Sequence, residues 1–416
     1  MPSRLTTVLL LILLASLSTH AREHKDLEYA KVGSTTLLLD LYTPDDPGPF
    51  PTIIWIHGGG WDSGDKSDVP ILSELGRGYA VASINYRLSG EATFPAQVFD
   101  CKAAVRFLRA HAKEFNLNSD EIAAWGQSAG GHLAVLLGTT AHVAALEGDE
   151  GNLAYPSCVQ AVVDFSGPVD FLTEDADALS CSEFCHSCSD SIESKLLGCA
   201  VATCPDAARA ASPLTYITSD DAPTFIAHGV DDCVIPPAQS RRLFDALQSA
   251  GVPSAFVPVA DTGHTSPVFF DETTISGMAD LFLDIHLQPN GDAPLLLADP
   301  SGAALALDAQ THVAGPFALT NPLYFGADKR TRVELFAYNL GPYALSADGI
   351  SARAVDTDGV SRPLLVEYAA PMPDVLFTKQ LVIPLPDELK GKDKVRVFLT
   401  VAGQQETNGA WLTLKP

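Results

Sequence analysis

Short apolar runs alternate with longer amphipathic segments over the first two thirds of the chain, and this alternation restricts the possible folds more than any other feature. The runs are apolar on both faces, as strands inside a parallel sheet must be, and they cover residues 52–56, 80–84, 122–125, 159–165, 224–227 and 255–257. The segments between them carry apolar residues at helical spacing, over residues 96–113, 129–137, 238–250 and 270–286. The pattern predicts an α/β fold with a mostly parallel central sheet and helices on both faces.

The pattern changes near residues 288–292, where Gln, Pro, Asn, Gly and Asp mark a boundary. Beyond it, short alternating segments cover residues 333–336, 351–355, 364–368, 380–384, 394–401 and 411–414. Turn pairs such as Asp348-Gly349 and Asp358-Gly359 separate these segments. We therefore expect a small C-terminal all-β, sandwich-like domain over residues 289–416, after a catalytic domain over residues 22–288.

The N-terminus has the features of an export signal. Arg4 precedes an apolar run over residues 5–17, and small or polar residues lead to Ala21. The run is shorter than the ~20 residues that span a bilayer, so we expect no stable membrane insertion. We predict a cleavable signal peptide over residues 1–21 and a secreted or periplasmic protein.

The charge balance argues against one class of partner. The chain has 416 residues, with 26 Lys and Arg against 51 Asp and Glu, so its formal net charge is −25. Such a surface repels a phosphate backbone, and no nucleic-acid partner is expected. No sequence feature specifies an oligomeric state.

All eight cysteines lie between residues 101 and 233, and five fall between Ser180 and Pro205. In an oxidising compartment, this density predicts disulfides that pin a cap insertion over residues 172–212, with the connectivity left open. The alternative is a zinc site made of Cys181, Cys185, His186 and Cys188, but we expect no metal because the paired C-x-x-C spacing occurs only once.

The segment Gly126-Gln127-Ser128-Ala129-Gly130 is a G-x-S-x-G motif between a predicted strand and a predicted helix. On such a tight turn, the glycines let the backbone fold closely and push the serine hydroxyl out of the sheet. The following helix N-terminus favours developing negative charge. Ser128 is the predicted nucleophile.

A glycine loop, His57-Gly58-Gly59-Gly60-Trp61, follows the predicted strand 52–56. Consecutive glycines leave backbone N–H groups unobstructed, as an oxyanion hole requires. We assign the oxyanion hole to the N–H groups of Gly59, Gly60 and Ala129. The candidate substrate contacts are Trp61 beside this loop and Gln127 beside the serine.

A serine hydroxyl needs a base, and that base needs a carboxylate to orient it. His264 lies between the last predicted strand and the last predicted helix of the domain, and Asp232 follows the strand 224–227. Asp231 is the competing acid. Of the other histidines, His57 is expected to shape the glycine loop, His132 to lie on the helix after Ser128, and His228 to support the loop of the acid. Ser128, Asp232 and His264 occur in the chain order of α/β-hydrolases.

Residues 28–287 resemble the α/β-hydrolase carboxylesterases of the hormone-sensitive-lipase-like and BD-type feruloyl-esterase-like group. The resemblance rests on the two glycine motifs, on the 228–236 string His-Gly-Val-Asp-Asp-Cys-Val-Ile-Pro and on segments such as 83–88 and 162–168. It implies a serine esterase that needs no cofactor and forms an acyl-enzyme, and it favours Asp232 as the acid.

We expect neutral short-chain or aromatic carboxylic esters as substrates, either small molecules or esters linked to polysaccharide, because no basic cluster would select a charged acyl group. Two alternatives stay open. One is an amidase or arylformamidase on the same fold, and the other is a catalytically silent adhesion or binding protein.

Overall fold

The computed structural model describes residues 21–45, 47–271 and 275–287 of the N-terminal part of the chain. In the C-terminal part it describes residues 295–296, 303–304, 306–309, 315–318, 330–338, 350–372, 375–401, 406–407 and 409–415. The predicted signal peptide up to residue 20, the boundary at 288–292 and the turn Asp348-Gly349 lie outside the described residues.

Eight strands form the sheet of the N-terminal part. They are β1 (Arg22–Val32), β2 (Thr35–Thr43), β3 (Phe50–Ile56), β4 (Ala80–Ile84), β5 (Leu117–Gln127), β6 (Ala161–Phe165), β7 (Thr224–Gly229) and β8 (Ser254–Val259). Their order is β1-β2-β4-β3-β5-β6-β7-β8, and the pairs from β4 onward along this order are parallel. The predicted α/β fold with a mostly parallel sheet is confirmed.

The hairpin of β1 and β2 was not predicted. Its strands pair antiparallel with each other, and β2 pairs antiparallel with β4. Most β1 residues are exposed or half-buried, so this edge strand carries no apolar run that would signal it.

The helices lie between the strands. They are α1 (Ala96–Ala110), α2 (Ala112–Phe115), α3 (Ala129–Thr139), α4 (Glu174–Asp177), α5 (Ile192–Leu197), α6 (Pro205–Ala211), α7 (Ala238–Ala250) and α8 (Ile275–Leu287). The predicted helix over 96–113 is interrupted at His111, whose backbone (φ −104°, ψ 14°) leaves the α-helical region. The predicted start of the last helix at residue 270 is also wrong, because residues 267–270 form a 3₁₀ turn before α8.

The sheet has a core on each side. Ile54 and Ile56 of β3 pack in the cluster that contains the apolar residues of α1 and α3. The alternate residues Ile53 and Trp55 pack in a second cluster with residues of α8. Because strand side chains alternate between faces, the same strand serves both cores and fixes the sheet between two helical layers.

The C-terminal region adds two antiparallel sheets. Its strands are β9 (Leu295–Leu296), β10 (Ala306–Asp308), β11 (Arg332–Tyr338), β12 (Ile350–Asp356), β13 (Ser361–Leu364), β14 (Tyr368–Met372), β15 (Val375–Pro384), β16 (Lys394–Val401) and β17 (Ala410–Thr413). One sheet has the order β13-β12-β16-β17, and the other is built around β11 and β15. Buried residues from both sheets share one core, including Leu335, Leu381, Val397 and Leu412, as in a sandwich.

Two further findings concern this region. The predicted strand over 364–368 is wrong, because β13 ends at Leu364 and β14 begins at Tyr368. The C-terminal region also meets the N-terminal part directly, since Val375 of β15 pairs with Ala255 of β8 at the edge of the parallel sheet. Among the helices that the structure describes, none combines the length and apolar character needed to cross a bilayer.

Three disulfides join six of the cysteines: Cys181–Cys233, Cys185–Cys188 and Cys199–Cys204. Cys101 and Cys158 are unpaired. The sulfur atoms of Cys181, Cys185 and Cys188 are in disulfide bonds and are not available as thiolate ligands. The alternative of a zinc site built on these cysteines is therefore wrong for the oxidised chain.

Candidate active site

Ser128 occupies a sharp turn between β5 and α3. Its backbone has φ 59° and ψ −124°, a conformation that costs energy for a residue with a side chain. The Ser128 N–H donates to Phe165 O at 2.8 Å, and the Ser128 carbonyl accepts from His132 N–H at 3.0 Å. These bonds hold the strained residue, and its half-buried side chain lies at the C-terminal end of the sheet.

The two glycines of the G-x-S-x-G motif are required by close packing. A Cβ on Gly126 would lie 2.2 Å from the carbonyl carbon of Gly130, and a Cβ on Gly130 would lie 2.0 Å from Ile56 O. No other residue fits either position without moving backbone. The motif therefore has the local geometry that its sequence predicts.

His264 lies between Ser128 and Asp232. Its Nε2 is 2.8 Å from Ser128 Oγ, and its Nδ1 is 2.7 Å from Asp232 Oδ2. The three predicted residues are thus brought into one hydrogen-bonded line. Asp231, the competing acid, is exposed, and its backbone N–H donates to Thr262 O at 2.9 Å.

Asp232 is fully buried and accepts four hydrogen bonds. Oδ1 accepts from the backbone N–H groups of Val234 and Ile235, and Oδ2 accepts from His264 and from His228 Nε2 at 3.1 Å. Burial by itself would raise the pKa of Asp232, but the hydrogen bonds and charges of His228 and His264 outweigh it and hold the pKa well below its usual range. The carboxylate therefore stays ionised, as the orienting acid must.

Ser240, on α7, was not predicted from the sequence. Its hydroxyl lies 2.7 Å from His228 Nδ1, so it donates there when His228 Nε2–H donates to Asp232. A serine on a helix twelve residues after the histidine has no motif of its own, and only the folded chain brings the pair together. His228 has the supporting position expected for it.

His57 and His132 are also structural. His57 stacks on Tyr86, with ring centroids 4.5 Å apart. His132 accepts from Trp61 Nε1–H at 3.2 Å, so its own Nε2–H donates to Ala211 O at 2.8 Å. Burial lowers the pKa of His132 to about 4, so this ring is neutral at physiological pH.

The glycine loop carries two of the predicted oxyanion-hole residues. Gly59 has φ 102°, and a Cβ there would lie 2.3 Å from Ser63 O, so only glycine fits. None of the backbone N–H groups of Gly59, Gly60 and Ala129 has a hydrogen-bond acceptor among the described residues. All three donors are free to bind an anion, and Ala129 is the first residue of α3.

The prediction of Trp61 as a substrate contact needs correction, whereas that of Gln127 stays a prediction. Trp61 is only 1% exposed, and its ring packs edge-on against His132 and Phe171. It supports the glycine loop from inside the core and does not line a cleft. Gln127 is half-buried, and its Nε2–H donates to His264 O at 3.4 Å, which places it against the backbone of the histidine loop.

The cysteine-rich insertion packs directly on the glycine loop. Ile192 of α5 lies against Gly60, since a Cβ there would be 3.1 Å from Ile192 Cδ1. Lys195 of the same helix pairs with Asp62 at 3.5 Å, with both side chains about half exposed. Cys233, next to Asp232, is joined to the insertion through Cys181. The insertion thus touches the site at the glycine loop and at the acid loop.

Comparison with known proteins places this geometry in a family. The BD-FAE family model matches residues 39–247, which is half of the chain and includes both Ser128 and Asp232. The chain belongs to the BD-FAE family. The resemblance inferred from the motifs is therefore confirmed.

Several relatives of this BD-FAE protein are esterases. Esterase LipQ of Mycobacterium tuberculosis is 31% identical over 56% of this chain and 54% of its own length, so the match spans about half of that relative. A truncated carbohydrate esterase from gut microbiota is 32% identical, with a TM-score of 0.57 over 65% of this chain and 98% of that one. A butyrate-bound esterase from the Planctomycetes species Thermogutta terrifontis is 26% identical, with a TM-score of 0.52 over 65% of this chain and 96% of that one.

Proposed function

We propose that the protein is a serine carboxylesterase that hydrolyses neutral esters through an acyl-enzyme on Ser128. The observation that carries this proposal is the unbroken hydrogen-bonded line from Ser128 Oγ through His264 to the ionised Asp232. The match to the BD-FAE family model and the similarity to esterases support it.

In the first half-reaction, Ser128 Oγ attacks the ester carbonyl carbon while its proton passes to His264 Nε2. The carbonyl oxygen becomes an oxyanion, which accepts hydrogen bonds from the N–H groups of Gly59, Gly60 and Ala129. Asp232 stabilises the imidazolium that has formed. The carbon–oxygen bond to the alcohol then breaks, and His264 returns the proton to the leaving oxygen.

Water completes the cycle. His264 Nε2 accepts a proton from the water as its oxygen attacks the acyl carbon, and the same oxyanion hole holds the second tetrahedral intermediate. Collapse of that intermediate breaks the bond to Ser128 Oγ, which recovers its proton from His264. The products are the free acid and the alcohol, and no cofactor takes part in any step.

We propose short-chain acyl groups on small alcohols or on polysaccharide as the substrate class. The formal charge of −25 disfavours an anionic substrate. A relative that binds butyrate and another that is named a carbohydrate esterase support the short acyl group and the carbohydrate alcohol. We also propose that the protein works in an oxidising compartment, supported by its three disulfides.

The test is hydrolysis of p-nitrophenyl esters from acetyl to palmitoyl, with matched amides and an acetylated polysaccharide, by the full chain and by Ser128→Ala. The matched control is Ser249→Ala, which removes an exposed hydroxyl on α7 that bonds only Asp245 O among the described residues. We expect turnover of short esters by the wild type and Ser249→Ala, and loss of turnover in Ser128→Ala. Faster amide cleavage would favour the amidase, and a wild type inert to every substrate and to an organophosphonate probe would favour a binding protein.

A further inference from the structure

The cap insertion contains a buried cluster that the esterase mechanism does not use. Glu174 lies on α4, His186 lies in the loop that the Cys185–Cys188 disulfide closes, and Glu193 lies on α5. The three residues are 0%, 2% and 0% exposed. One ligand atom from each lies within 4.8 Å of the other two, although the residues come from three separate segments.

The hydrogen bonding of this cluster is incomplete. His186 Nδ1 lies 2.9 Å from Glu193 Oε1 and 2.9 Å from Glu174 Oε2, yet a single N–H can be directed at only one of them. Both oxygens of Glu174, Oε2 of Glu193 and Nε2 of His186 lack a hydrogen-bond partner among the described residues. Buried carboxylate oxygens without donors are costly, so the native site needs something further to satisfy them.

The charges of the cluster also suit a divalent cation. Within the described residues, no lysine or arginine pairs with Glu174 or Glu193, and His186 is the one basic group beside them. A divalent cation bound by two carboxylates and a neutral imidazole would leave no net charge in this buried place.

The backbone around His186 is held independently of its ring. The His186 N–H donates to Asp175 Oδ1 at 2.6 Å, and Ser191 Oγ–H donates to His186 O at 2.7 Å. The Cys185–Cys188 disulfide encloses the residue. The imidazole is therefore directed at the two carboxylates by a preorganised loop, which is how proteins hold metal ligands in place.

We propose that Glu174, His186 and Glu193 bind one divalent transition-metal ion, with zinc as the preferred ion. An imidazole nitrogen with carboxylate oxygens is a donor set that suits zinc, whereas calcium and magnesium favour all-oxygen sites with more ligands. The three residues supply three protein ligands, and a water molecule would complete a four-coordinate site.

The ion has a structural role with a consequence for the active site. It fastens α5 to α4 and to the disulfide loop, and α5 carries the Ile192 and Lys195 side chains that contact the glycine loop. Loss of the ion would loosen the part of the insertion that covers Gly60.

The test is the metal content of the full-length, oxidised protein, purified without chelator and measured by mass spectrometry of the elements. We expect about one zinc per chain, removal by EDTA, and a rise in Tm when zinc is returned. Cobalt added to the stripped protein should give the visible absorption bands of a low-symmetry, four-coordinate site. These measurements need no variant and no esterase activity.

Variants then locate the site. Glu193→Gln keeps the shape of the side chain and should lower zinc affinity by at least ~10-fold, whereas the matched control Glu183→Gln, an exposed residue of the same insertion, should leave it unchanged. The proposal is overturned if the wild type binds no zinc, if both variants bind it like the wild type, or if binding appears only after the disulfides are reduced. If Glu193→Gln does not fold, the zinc affinity of His186→Gln and the cobalt spectrum of the wild type decide whether the cluster binds the ion. Wild-type zinc affinity in His186→Gln, or no cobalt absorption bands in the wild type, would then overturn the proposal.

Discussion

His228 and His264 share one carboxylate oxygen. Oδ2 of Asp232 lies 3.1 Å from His228 Nε2 and 2.7 Å from His264 Nδ1, and Ser240 Oγ lies 2.7 Å from the far nitrogen of His228. The acid of the proposed triad is therefore oriented from two sides, and its position depends on a residue of α7 that never reaches the substrate.

Ser240→Ala tests this support. Loss of one hydrogen bond to the His228 ring should lower kcat by about fivefold, since such a bond contributes about 1 kcal/mol, and should leave KM unchanged. Steady-state kinetics on a short p-nitrophenyl ester would measure the effect. Ser249→Ala, an exposed serine on the same helix, is the control. Equal kcat values for the two variants would remove Ser240 from the positioning network.

Asp232→Asn and Asp231→Asn form a matched pair at adjacent positions. The first replaces the buried carboxylate that orients His264, and kcat should fall by roughly 10⁴-fold, as it does when the triad carboxylate is replaced by an amide. The second changes an exposed side chain, and kcat should stay within about twofold of the wild type. The same ester assay measures both. A large loss of kcat in Asp231→Asn, without one in Asp232→Asn, would identify Asp231 as the acid.

Gly59→Ala tests the role of the glycine loop in the oxyanion hole. A methyl group there meets Ser63 O at 2.3 Å with φ at 102°, so the loop must move and carry its N–H groups away from the developing anion. We expect kcat to fall by at least ~100-fold, which is the effect of losing one such donor. Gly90→Ala is the control, because a Cβ there meets nothing within 4 Å. Circular dichroism of both variants would confirm that the fold is retained.

Asp164 predicts a pH dependence of stability. Burial raises its pKa to about 7, although the Gly167 N–H bond lowers it, whereas an unfolded aspartate titrates near ~3.9. As pH rises, the unfolded chain releases this proton at a lower pH than the folded protein does. Stability therefore falls as pH rises from about 4 to about 7. Asp164→Asn should lose this dependence. The difference between the Tm of the variant and the Tm of the wild type should therefore shift in favour of the variant as pH rises from 5 to 8.

The measurement is thermal unfolding of both proteins at several pH values in this range. Asp190→Asn, an exposed residue, is the control for a general charge effect. Parallel Tm curves for the wild type and Asp164→Asn would contradict the prediction.

The disulfides should contribute unequally to stability. In the chain-entropy model, Cys181–Cys233 closes a loop of 52 residues and contributes about 4 kcal/mol, whereas Cys199–Cys204 closes five residues and contributes about 2 kcal/mol. Chemical unfolding of the two Cys-to-Ser double variants measures both. The first should also lower kcat, because Cys233 adjoins Asp232. Equal losses of unfolding free energy would contradict the loop-length argument.

Local signals predicted the parallel strands and the motif loops well. Buried strands such as residues 80–84 carry their own apolar run, and the glycines around Ser128 fit a turn that tolerates no side chain. Contacts between distant segments could not be predicted in the same way. The partners of His228 and Glu193 become neighbours only through folding, and cysteine spacing leaves many pairings open.

Trp61 shows why residue type is a weak guide to ligand contact. A large aromatic next to a catalytic loop is equally suited to lining a pocket and to filling the space beneath the loop. The ring nitrogen of His132 provides a buried acceptor for the Trp61 N–H, and the residue packs inward.

The pairing of Ala255 with Val375 has a consequence for solubility. β8 is the last strand of the parallel sheet, and its outer edge would present unpaired N–H and C=O groups if the chain ended after α8. Open edges of this kind template the addition of strands from other molecules and lead to aggregation. β15 pairs with this edge at Ala255 and therefore blocks a strand of another molecule from pairing at that position.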